Sequence, residues 1–342
     1  LSIFEHILSG RYKSMYQAAE ERYQKMDYVY CGKSGLKLPE VSLGFWHNFG
    51  DTGVYENMKQ ICFTAFDNGI THFDLANNYG PEPGSAEKNF GRILKEEMGQ
   101  HRDEMVISTK AGYLMWDGPY GDWGSRKYLL ASLDQSLKRM NLDYVDVFYS
   151  HRYDPEMPLE ETLQALVDIV RKGKALYVGL SKYPLDAYLF ACRYLKERDV
   201  PCLLYQGRYS MLVREPESQG ILNAVKESGS GFVAFSPLAQ GLLTNRYLNG
   251  IPDDSRIARG GFLKKEALTP EVLSKIQALN ERAAMRGQSL AEMALAWLLK
   301  NETVTSVIVG ASSVEQLGDS LKTLNHLSFE EEELHAIEKI LM

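Results

Sequence analysis

Long apolar runs, paired cysteine motifs and an excess of basic residues are all absent from this chain of 342 residues. No segment approaches the roughly 18 consecutive apolar residues that a membrane-spanning helix needs. The chain has 38 Lys and Arg against 45 Asp and Glu, and the resulting net charge of −7 argues against a nucleic-acid surface. We therefore expect neither a membrane partner nor a nucleic-acid partner.

Cysteine is also scarce, and no two of the four cysteines have CxxC spacing. Three of them lie in or beside apolar segments, which is typical of buried thiols. Buried reduced thiols favour the reducing cytoplasm as the location of the protein. The four residues are Cys31, Cys62, Cys192 and Cys202.

The chain also lacks a linker rich in Pro, Gly or Ser, so the sequence does not suggest a division into several folding units. With 44% hydrophobic and 24% charged residues, the composition is that of a globular protein with a large core. We expect residues 1–27 to form an N-terminal extension and residues 28–342 to form a single domain.

What the chain does contain is a regular alternation of strand-like and helical patterns from about residue 40 to residue 325. Such alternation predicts βα units and a parallel sheet. Eight strand patterns can be counted, which indicates an α/β fold of the (β/α)8 TIM-barrel type. Two short β runs in 28–39 predict an N-terminal hairpin that closes the barrel bottom. Residues 329–341 predict an amphipathic C-terminal helix.

From the second strand onward, the predicted strands end in polar or ionisable residues. A buried parallel strand should be a continuous apolar run, so a polar residue at its end needs a reason. In a barrel of this type the carboxyl ends of the strands build the active site. One polar pocket assembled from the whole chain is therefore expected. The strand-end residues are Asp74, Lys110, His151, Ser181, Gln206, Ser236 and Ser312.

Four of the residues expected at this pocket suggest acid–base chemistry: Asp74, Tyr79, Lys110 and His151. A tyrosine has a reference pKa of about 10, and a nearby ammonium such as that of Lys110 should lower it. Asp74 would hold the lysine in place, and a neutral histidine would relay or orient the proton. Such a tyrosine is suited to protonate a carbonyl oxygen while a cofactor hydride attacks the carbon.

Structural alternatives exist for single residues of this set. Asp74 could cap a turn, and Lys110 could be a structural ion-pair partner. His72 and Asp74 form an HxD pattern that mimics metal ligands, but the sequence suggests no third ligand, so we predict a core histidine and no metal site. The run GSGFVA at 229–234 resembles a dinucleotide fingerprint, yet it precedes a strand where the fingerprint should open a helix.

The segment GITHFDLANNYG contains Asp74 and Tyr79, and the motifs STK and YSH end in Lys110 and His151. They are followed in order by GLS, LYQ, FSPLAQGLLTNRY and VTSVIVGASSVEQLGDSL. This set resembles the aldo-keto reductase family over residues 28–325. The resemblance implies an NADPH-dependent reductase in which the tyrosine donates the proton and the other three residues assist it.

The same resemblance implies a set of cofactor contacts along the chain. Strand-end serine and glutamine would hold the nicotinamide carboxamide, the FSPLAQG loop would wrap the pyrophosphate, and arginines would face the adenosine phosphate, for which arginine is the preferred fork. Ser312 is expected to open a helix whose N-terminal amides attract an anion. Lys182 stands where many members of the family have asparagine. The implied contacts are Trp46, Asp74, Ser181, Lys182, Gln206, Phe235, Ser236, Pro237, Leu238, Gln240, Gly241, Arg246, Arg256, Gly310, Ser312, Gln316, Asp319 and Ser320.

Within the family, segments such as STKAGYLMW and YLNGIP resemble most the branch that reduces L-glyceraldehyde 3-phosphate, which is related to the β subunits of voltage-gated potassium channels. The resemblance implies reduction of a small aldehyde, with L-glyceraldehyde 3-phosphate or methylglyoxal as the leading substrates. The alternative is a regulatory subunit that binds NADPH, turns over feebly and reports redox state to a partner protein.

The branch also implies a homo-oligomer, a tetramer or larger. Arg126 and Lys127, in the first turn of a predicted helix, could contact a neighbouring subunit or a substrate phosphate, although a solvated basic face is the favoured interpretation. The loop 111–125 contains four glycines and several large aromatic residues. A loop of this length and composition is expected to cover the substrate.

Overall fold

Eight parallel strands close into a barrel in the computed structural model, which describes residues 15–248, 250–252, 257–258 and 263–342. Each strand pairs with its neighbours in chain order, and the last strand pairs with the first. The predicted TIM barrel is therefore confirmed. The barrel strands are β3 (Val41–Gly44), β4 (His72–Asp74), β5 (Val106–Ala111), β6 (Val145–Ser150), β7 (Ala175–Ser181), β8 (Cys202–Arg208), β9 (Gly231–Phe235) and β10 (Val304–Val309).

Helices follow the strands and cover the outside of the barrel. They are α1 (Tyr55–Asp67), α2 (Ser85–Ile93), α3 (Arg126–Met140), α4 (Leu159–Arg171), α5 (Leu185–Lys196), α6 (Glu215–Ser218), α7 (Ile221–Ser228), α8 (Pro270–Met285), α9 (Leu290–Leu299), α10 (Val314–Leu321) and α11 (Glu331–Leu341). With helices outside and side chains filling the centre, strands such as β6 are buried at every residue, which explains their continuous apolar runs. Among the described residues, no helix is both long and apolar enough to cross a membrane.

Packing inside the barrel requires a small residue next to a large one. Tyr149 of β6 pairs in register with Gly179 of β7. A Cβ atom on Gly179 would lie 2.3 Å from the Tyr149 ring, so only glycine leaves room for that ring. The aromatic side chain is thereby fixed in the barrel interior, close below the ionisable residues at the strand ends.

The predicted N-terminal hairpin is present as β1 (Tyr28–Tyr30) and β2 (Lys37–Pro39), which pair antiparallel. Cys31 and Leu38 are buried in the same apolar cluster as interior residues of the barrel strands. Gly32 has φ +56, and a Cβ there would lie 2.2 Å from the carbonyl oxygen of Gly229, just before β9. The hairpin therefore closes the amino end of the barrel, which leaves the carboxyl end for a functional site.

Helix ends follow local chemistry. Ser125 caps α3 by accepting a hydrogen bond from the Tyr128 amide at 3.2 Å, as its position before the helical pattern predicts. The helical segment after β8 is divided into α6 and α7, because Gly220 adopts a left-handed conformation with φ 76 between them.

The C-terminal helix α11 is present as predicted and packs against α8. Its first turn is closed by a capping box between Glu330 and Glu333. Glu333 also pairs with Arg286 at 2.7 Å, beyond the end of α8. At the other end of the chain, Tyr16 stacks on Phe63 of α1 with ring centroids 4.1 Å apart.

Candidate active site

Three neighbouring strands bring the four predicted acid–base residues to the carboxyl end of the barrel. Asp74 is the last residue of β4, Lys110 is the penultimate residue of β5, and His151 follows β6 directly. Tyr79 lies on the loop after β4, and its ring is partly exposed at the mouth. The structure therefore brings together the side chains that the sequence singled out.

The centre of the site is a fully buried ion pair. The Lys110 ammonium donates to Asp74 Oδ2 at 2.6 Å and to the carbonyl oxygen of Leu75 at 2.6 Å. The other carboxylate oxygen, Oδ1, accepts from Ser108 Oγ at 2.7 Å and from Gln206 Nε2 at 3.0 Å. Burial lowers the pKa of Lys110, and the adjacent Asp74 carboxylate opposes that effect. These bonds fix the ammonium in one position, as a positioning role requires.

Tyr79 accepts a hydrogen bond from this ammonium, with Lys110 Nζ 3.3 Å from Tyr79 Oη. The expected lowering of its pKa is nevertheless wrong for the protein alone: the pKa of Tyr79 is raised well above 10. Burial is the largest cause, followed by the negative charge of Asp74 and by Tyr113. The phenol thus keeps its proton at neutral pH, which suits a proton donor.

His151 lies beside the phenol, with its ring edge-on to Tyr79 at 6.0 Å between centroids. Burial and then the charges of Lys110, Lys182 and Arg152 hold the pKa of His151 well below 6.5. The imidazole is therefore neutral at pH 7, as the sequence predicted. Its Nδ1 is buried and has no hydrogen-bond partner among the described residues.

His72, the residue of the HxD pattern, has a structural environment. Its Nδ1 lies 2.8 Å from Ser42 Oγ and its Nε2 lies 3.0 Å from Ser108 Oγ, so both ring nitrogens are engaged. Ser108 in turn donates to Asp74, which links the histidine to the ion pair. Among residues 15–248, 250–252, 257–258 and 263–342, no group of His, Cys, Asp and Glu could hold a metal ion.

We expect His72 to make stability depend on pH. Burial lowers its pKa from 6.5 to about 4, so between these values the unfolded chain binds a proton that the folded chain does not. The stabilisation is fully present above pH 6.5 and is lost as the pH falls towards 4; the loss between pH 7 and pH 5 is about 2 kcal/mol. Urea unfolding measures the free energy of unfolding at pH 7 and at pH 5. Its decrease between the two pH values should be smaller in His72→Gln than in wild type by about this amount.

The exposed His335 provides the control for this measurement. His335→Gln should retain the wild-type decrease, and the contribution of His151 should cancel because it is common to all three proteins. If the free energy of unfolding decreased equally in His72→Gln and in wild type, His72 would not be the source of the pH dependence.

Two strand-end residues fit the amide of a nicotinamide ring. Ser181 pairs in register with Gln206 on adjacent strands, and both are buried. Ser181 Oγ has no hydrogen-bond partner among the described residues. A buried hydroxyl without a partner is costly, so a ligand carrying donors and acceptors at this point would satisfy it. Trp46, another predicted contact, lies edge-on to Tyr79 at 5.0 Å.

The loop after β9 has the backbone of an anion cradle. Ser236, Ala239, Gln240 and Gly241 all have positive φ, at 54°, 46°, 60° and 101°. Such conformations are strained in residues other than glycine and are concentrated at ligand sites. Successive amides in this arrangement can face a phosphate. The loop thus fits the pyrophosphate role that the resemblance implies for 235–241, which includes Phe235, Pro237 and Leu238.

At the predicted adenosine end, the detail differs from the prediction. Ser313, not Ser312, caps α10, by accepting from the Gln316 amide at 3.2 Å. Ser312 precedes the cap, and its hydroxyl and amide both donate to Gln316 Oε1, at 2.9 and 2.8 Å. One residue's difference in cap position cannot be resolved in a Ser-Ser pair from sequence alone.

Other residues implied for this end have varied surroundings. Ser320 is buried and donates back to the carbonyl oxygen of Gln316 at 3.1 Å, while Asp319 pairs with Lys322 at 2.7 Å on the surface. Gly310 follows β10, and a Cβ there would have only one neighbour within 4 Å. Arg246 lies within a short helical turn, Asn245–Tyr247, and Arg256 lies outside the described residues.

The aromatic loop 111–125 is held beside the site by Arg152, which sequence reasoning missed. The Arg152 guanidinium lies 3.5 Å from the centre of the Trp123 ring and 4.4 Å from that of Tyr113. It also pairs with Asp122 at 2.7 Å and donates to Gly112 O at 2.5 Å. The sequence did contain a signal for this contact, because an arginine directly follows the strand-end histidine and the loop 111–125 is rich in aromatic residues.

Comparison with known proteins gives consistent matches over almost the whole chain. The model of the aldo/keto reductase family matches residues 40–342. The chain is 57% identical over 327 residues to L-glyceraldehyde 3-phosphate reductase of Escherichia coli O157:H7, covering 94% of each protein. It is 37% identical over 306 residues to a probable voltage-gated potassium channel subunit beta of Arabidopsis thaliana, covering 88% of this chain and 92% of that protein.

Proposed function

The chain belongs to the aldo/keto reductase family and is an oxidoreductase, and we propose that it reduces L-glyceraldehyde 3-phosphate with NADPH. Methylglyoxal is a second substrate under this proposal. The observation that carries it is the convergence of a protonated Tyr79 with the buried Lys110–Asp74 pair and a neutral His151. The identity of 57% to a relative named for this reaction supports the choice of substrate.

The proposed chemistry adds a hydride and a proton across the aldehyde double bond. NADPH, when bound, would supply the hydride to the carbonyl carbon. The Tyr79 hydroxyl donates its proton to the carbonyl oxygen, and the carbonyl becomes a primary alcohol. The phenolate left behind is stabilised by the Lys110 ammonium, which already lies 3.3 Å from its oxygen. Neutral His151 helps to orient the carbonyl, and a proton from water then restores the phenol.

Residues along the rim would hold the cofactor. Ser181 and Gln206 would bind the carboxamide, since one offers a buried hydroxyl without a partner and the other an amide fixed on Asp74. The loop 235–241 would wrap the pyrophosphate, and Ser312 with Gln316 would approach the adenosine end. Selection of NADPH over NADH is part of the proposal.

A regulatory subunit is the second candidate function. It is favoured by the 37% identity to a relative named as a potassium channel subunit beta. The two candidates differ in turnover, because a sensor needs tight cofactor binding but little catalysis, whereas a metabolic reductase needs both.

The direct test follows NADPH oxidation by the purified protein with L-glyceraldehyde 3-phosphate and with methylglyoxal. We expect kcat in the ordinary enzymatic range of about 1–10³ s⁻¹ with the phosphorylated aldehyde, and weaker activity when NADH replaces NADPH. Cofactor binding measured by fluorescence serves as the control. Tight binding of NADPH with negligible turnover of both aldehydes would reject the reductase in favour of the regulatory subunit.

A further inference from the structure

Lys182 lies at the mouth of the barrel, where it contacts Tyr113 of the loop after β5. It directly follows β7 and has φ 57. Its ammonium donates to the hydroxyl of Tyr113 and lies 4.7 Å from the centre of that ring. Because Tyr113 follows β5, this contact spans the end of β6, where His151 lies edge-on to Tyr113 at 4.7 Å. The ammonium is therefore one aromatic ring away from the imidazole.

The charge of Lys182 is not neutralised by the protein. Its contacts are the Tyr113 hydroxyl and the faces of the Tyr113 and Phe235 rings, and no carboxylate lies within ion-pair distance among the described residues. Neighbouring cations differ in this respect, since Arg152 pairs with Asp122 and Lys110 with Asp74. An exposed ammonium without a counter-charge at the rim of a pocket attracts an anionic group.

We propose that Lys182 is the phosphate-binding residue of the substrate site and selects phosphorylated aldehydes. This inference rests on the proposed function and deepens it. In L-glyceraldehyde 3-phosphate, two carbons and an ester oxygen separate the carbonyl carbon from the phosphorus. With the carbonyl at Tyr79 and His151, the phosphate therefore extends towards the rim. Lys182 exchanges its bond to Tyr113 for a charge-assisted bond to the phosphate. The family resemblance implies instead that Lys182 contacts the cofactor. A cofactor contact and a substrate-phosphate contact predict different effects of a substitution, so experiment can distinguish them.

The structure also argues against the other basic residues considered for this role. Arg126 is paired with Asp168 of α4 at 2.5 Å. Lys127 stands over the ring of Tyr120 at 5.4 Å, on the outer part of the same loop. Because Lys127 is likewise a lysine stacked on a tyrosine of the loop, it supplies a matched control for Lys182.

The test compares two substrates that differ only in the phosphate. For Lys182→Met, the ratio of kcat/KM for L-glyceraldehyde 3-phosphate to that for L-glyceraldehyde should fall by about 10- to 100-fold, the value of a charge-assisted bond. Lys182→Arg should restore most of the ratio, and Lys127→Met should leave it at the wild-type value. General damage to the barrel or to the hydride step cancels in this ratio.

Binding measured by calorimetry separates the inference from the proposed function. Glycerol 3-phosphate, the reaction product, should bind the NADP-loaded protein about 10- to 100-fold more weakly in Lys182→Met. If wild type shows this Lys182-dependent binding without turnover, the phosphate subsite stands and the proposed reaction fails. An unchanged substrate ratio in an active Lys182→Met enzyme, with or without weaker NADPH binding, overturns the inference. An equal fall in Lys127→Met overturns it as well.

Discussion

Replacing Tyr79 by phenylalanine is expected to lower kcat for aldehyde reduction by about 10²- to 10⁴-fold. The change removes the hydroxyl that Lys110 contacts at 3.3 Å and leaves the ring in its edge-on contact with Trp46. Without the phenol, no positioned acid protonates the carbonyl oxygen as hydride reaches the carbon. Steady-state oxidation of NADPH with a saturating aldehyde measures the effect, and fluorescence titration should show that NADPH still binds.

Tyr120 offers a control of the same chemistry. It lies in the loop 111–125 and is exposed, and its ring faces the ammonium of Lys127 at 5.4 Å. Tyr120→Phe should therefore retain wild-type kcat. Comparable turnover in Tyr79→Phe and wild type would refute the role of Tyr79 as proton donor, and the three residues around it would then need another explanation.

Lys110→Met is expected to lower the free energy of unfolding by about 3–5 kcal/mol, because it leaves the buried Asp74 carboxylate without its counter-charge. Both side chains of the pair are inaccessible, with exposed fractions of 0% and 2%. Ser108 and Gln206 would still donate to Asp74, but neutral donors do not replace an ammonium. Urea denaturation at pH 7 measures the loss.

Two further variants make this expectation specific. The double variant Asp74→Asn, Lys110→Met removes both charges and should recover part of the stability that the single change loses. Lys174→Met breaks an exposed pair with Asp134 and should cost less than about 1 kcal/mol. A loss in Lys110→Met no larger than that in Lys174→Met would show that the buried pair contributes little.

Much of the architecture follows from local sequence patterns, because a barrel repeats one unit and each unit has its own periodicity. The bounds of α4 and β7 coincide with the apolar stripe at 159–171 and the run ALYVGLS. The polar strand ends located Asp74, Lys110 and His151 for the same reason, since a barrel gathers all its strand ends on one rim. The family resemblance then supplied their proposed roles.

Other features depend on distances that no pattern contains. The pKa of Tyr79 is raised mainly by burial, and next by the charge of Asp74. The sequence indicates the nearby ammonium but not how far the phenol is removed from water. The contacts of Arg152 with Trp123 and Tyr113 join it to a loop that lies 30 to 40 residues earlier in the chain, which only the tertiary fold brings close. The unneutralised charge of Lys182 likewise became visible only once its surroundings were known.

The β1–β2 hairpin that closes the amino end of the barrel also constrains the order of events during turnover. Within the described part of the barrel, both the dinucleotide and the aldehyde would then enter through the carboxyl end. Ser181 and Gln206, the proposed nicotinamide contacts, are only 1% and 2% exposed, whereas Tyr79 is partly open to solvent. An aldehyde at Tyr79 would therefore lie above a nicotinamide bound at Ser181 and Gln206 and would block the exit of the cofactor. Under the proposed function, we therefore expect the dinucleotide to bind before the aldehyde and to leave after the alcohol product.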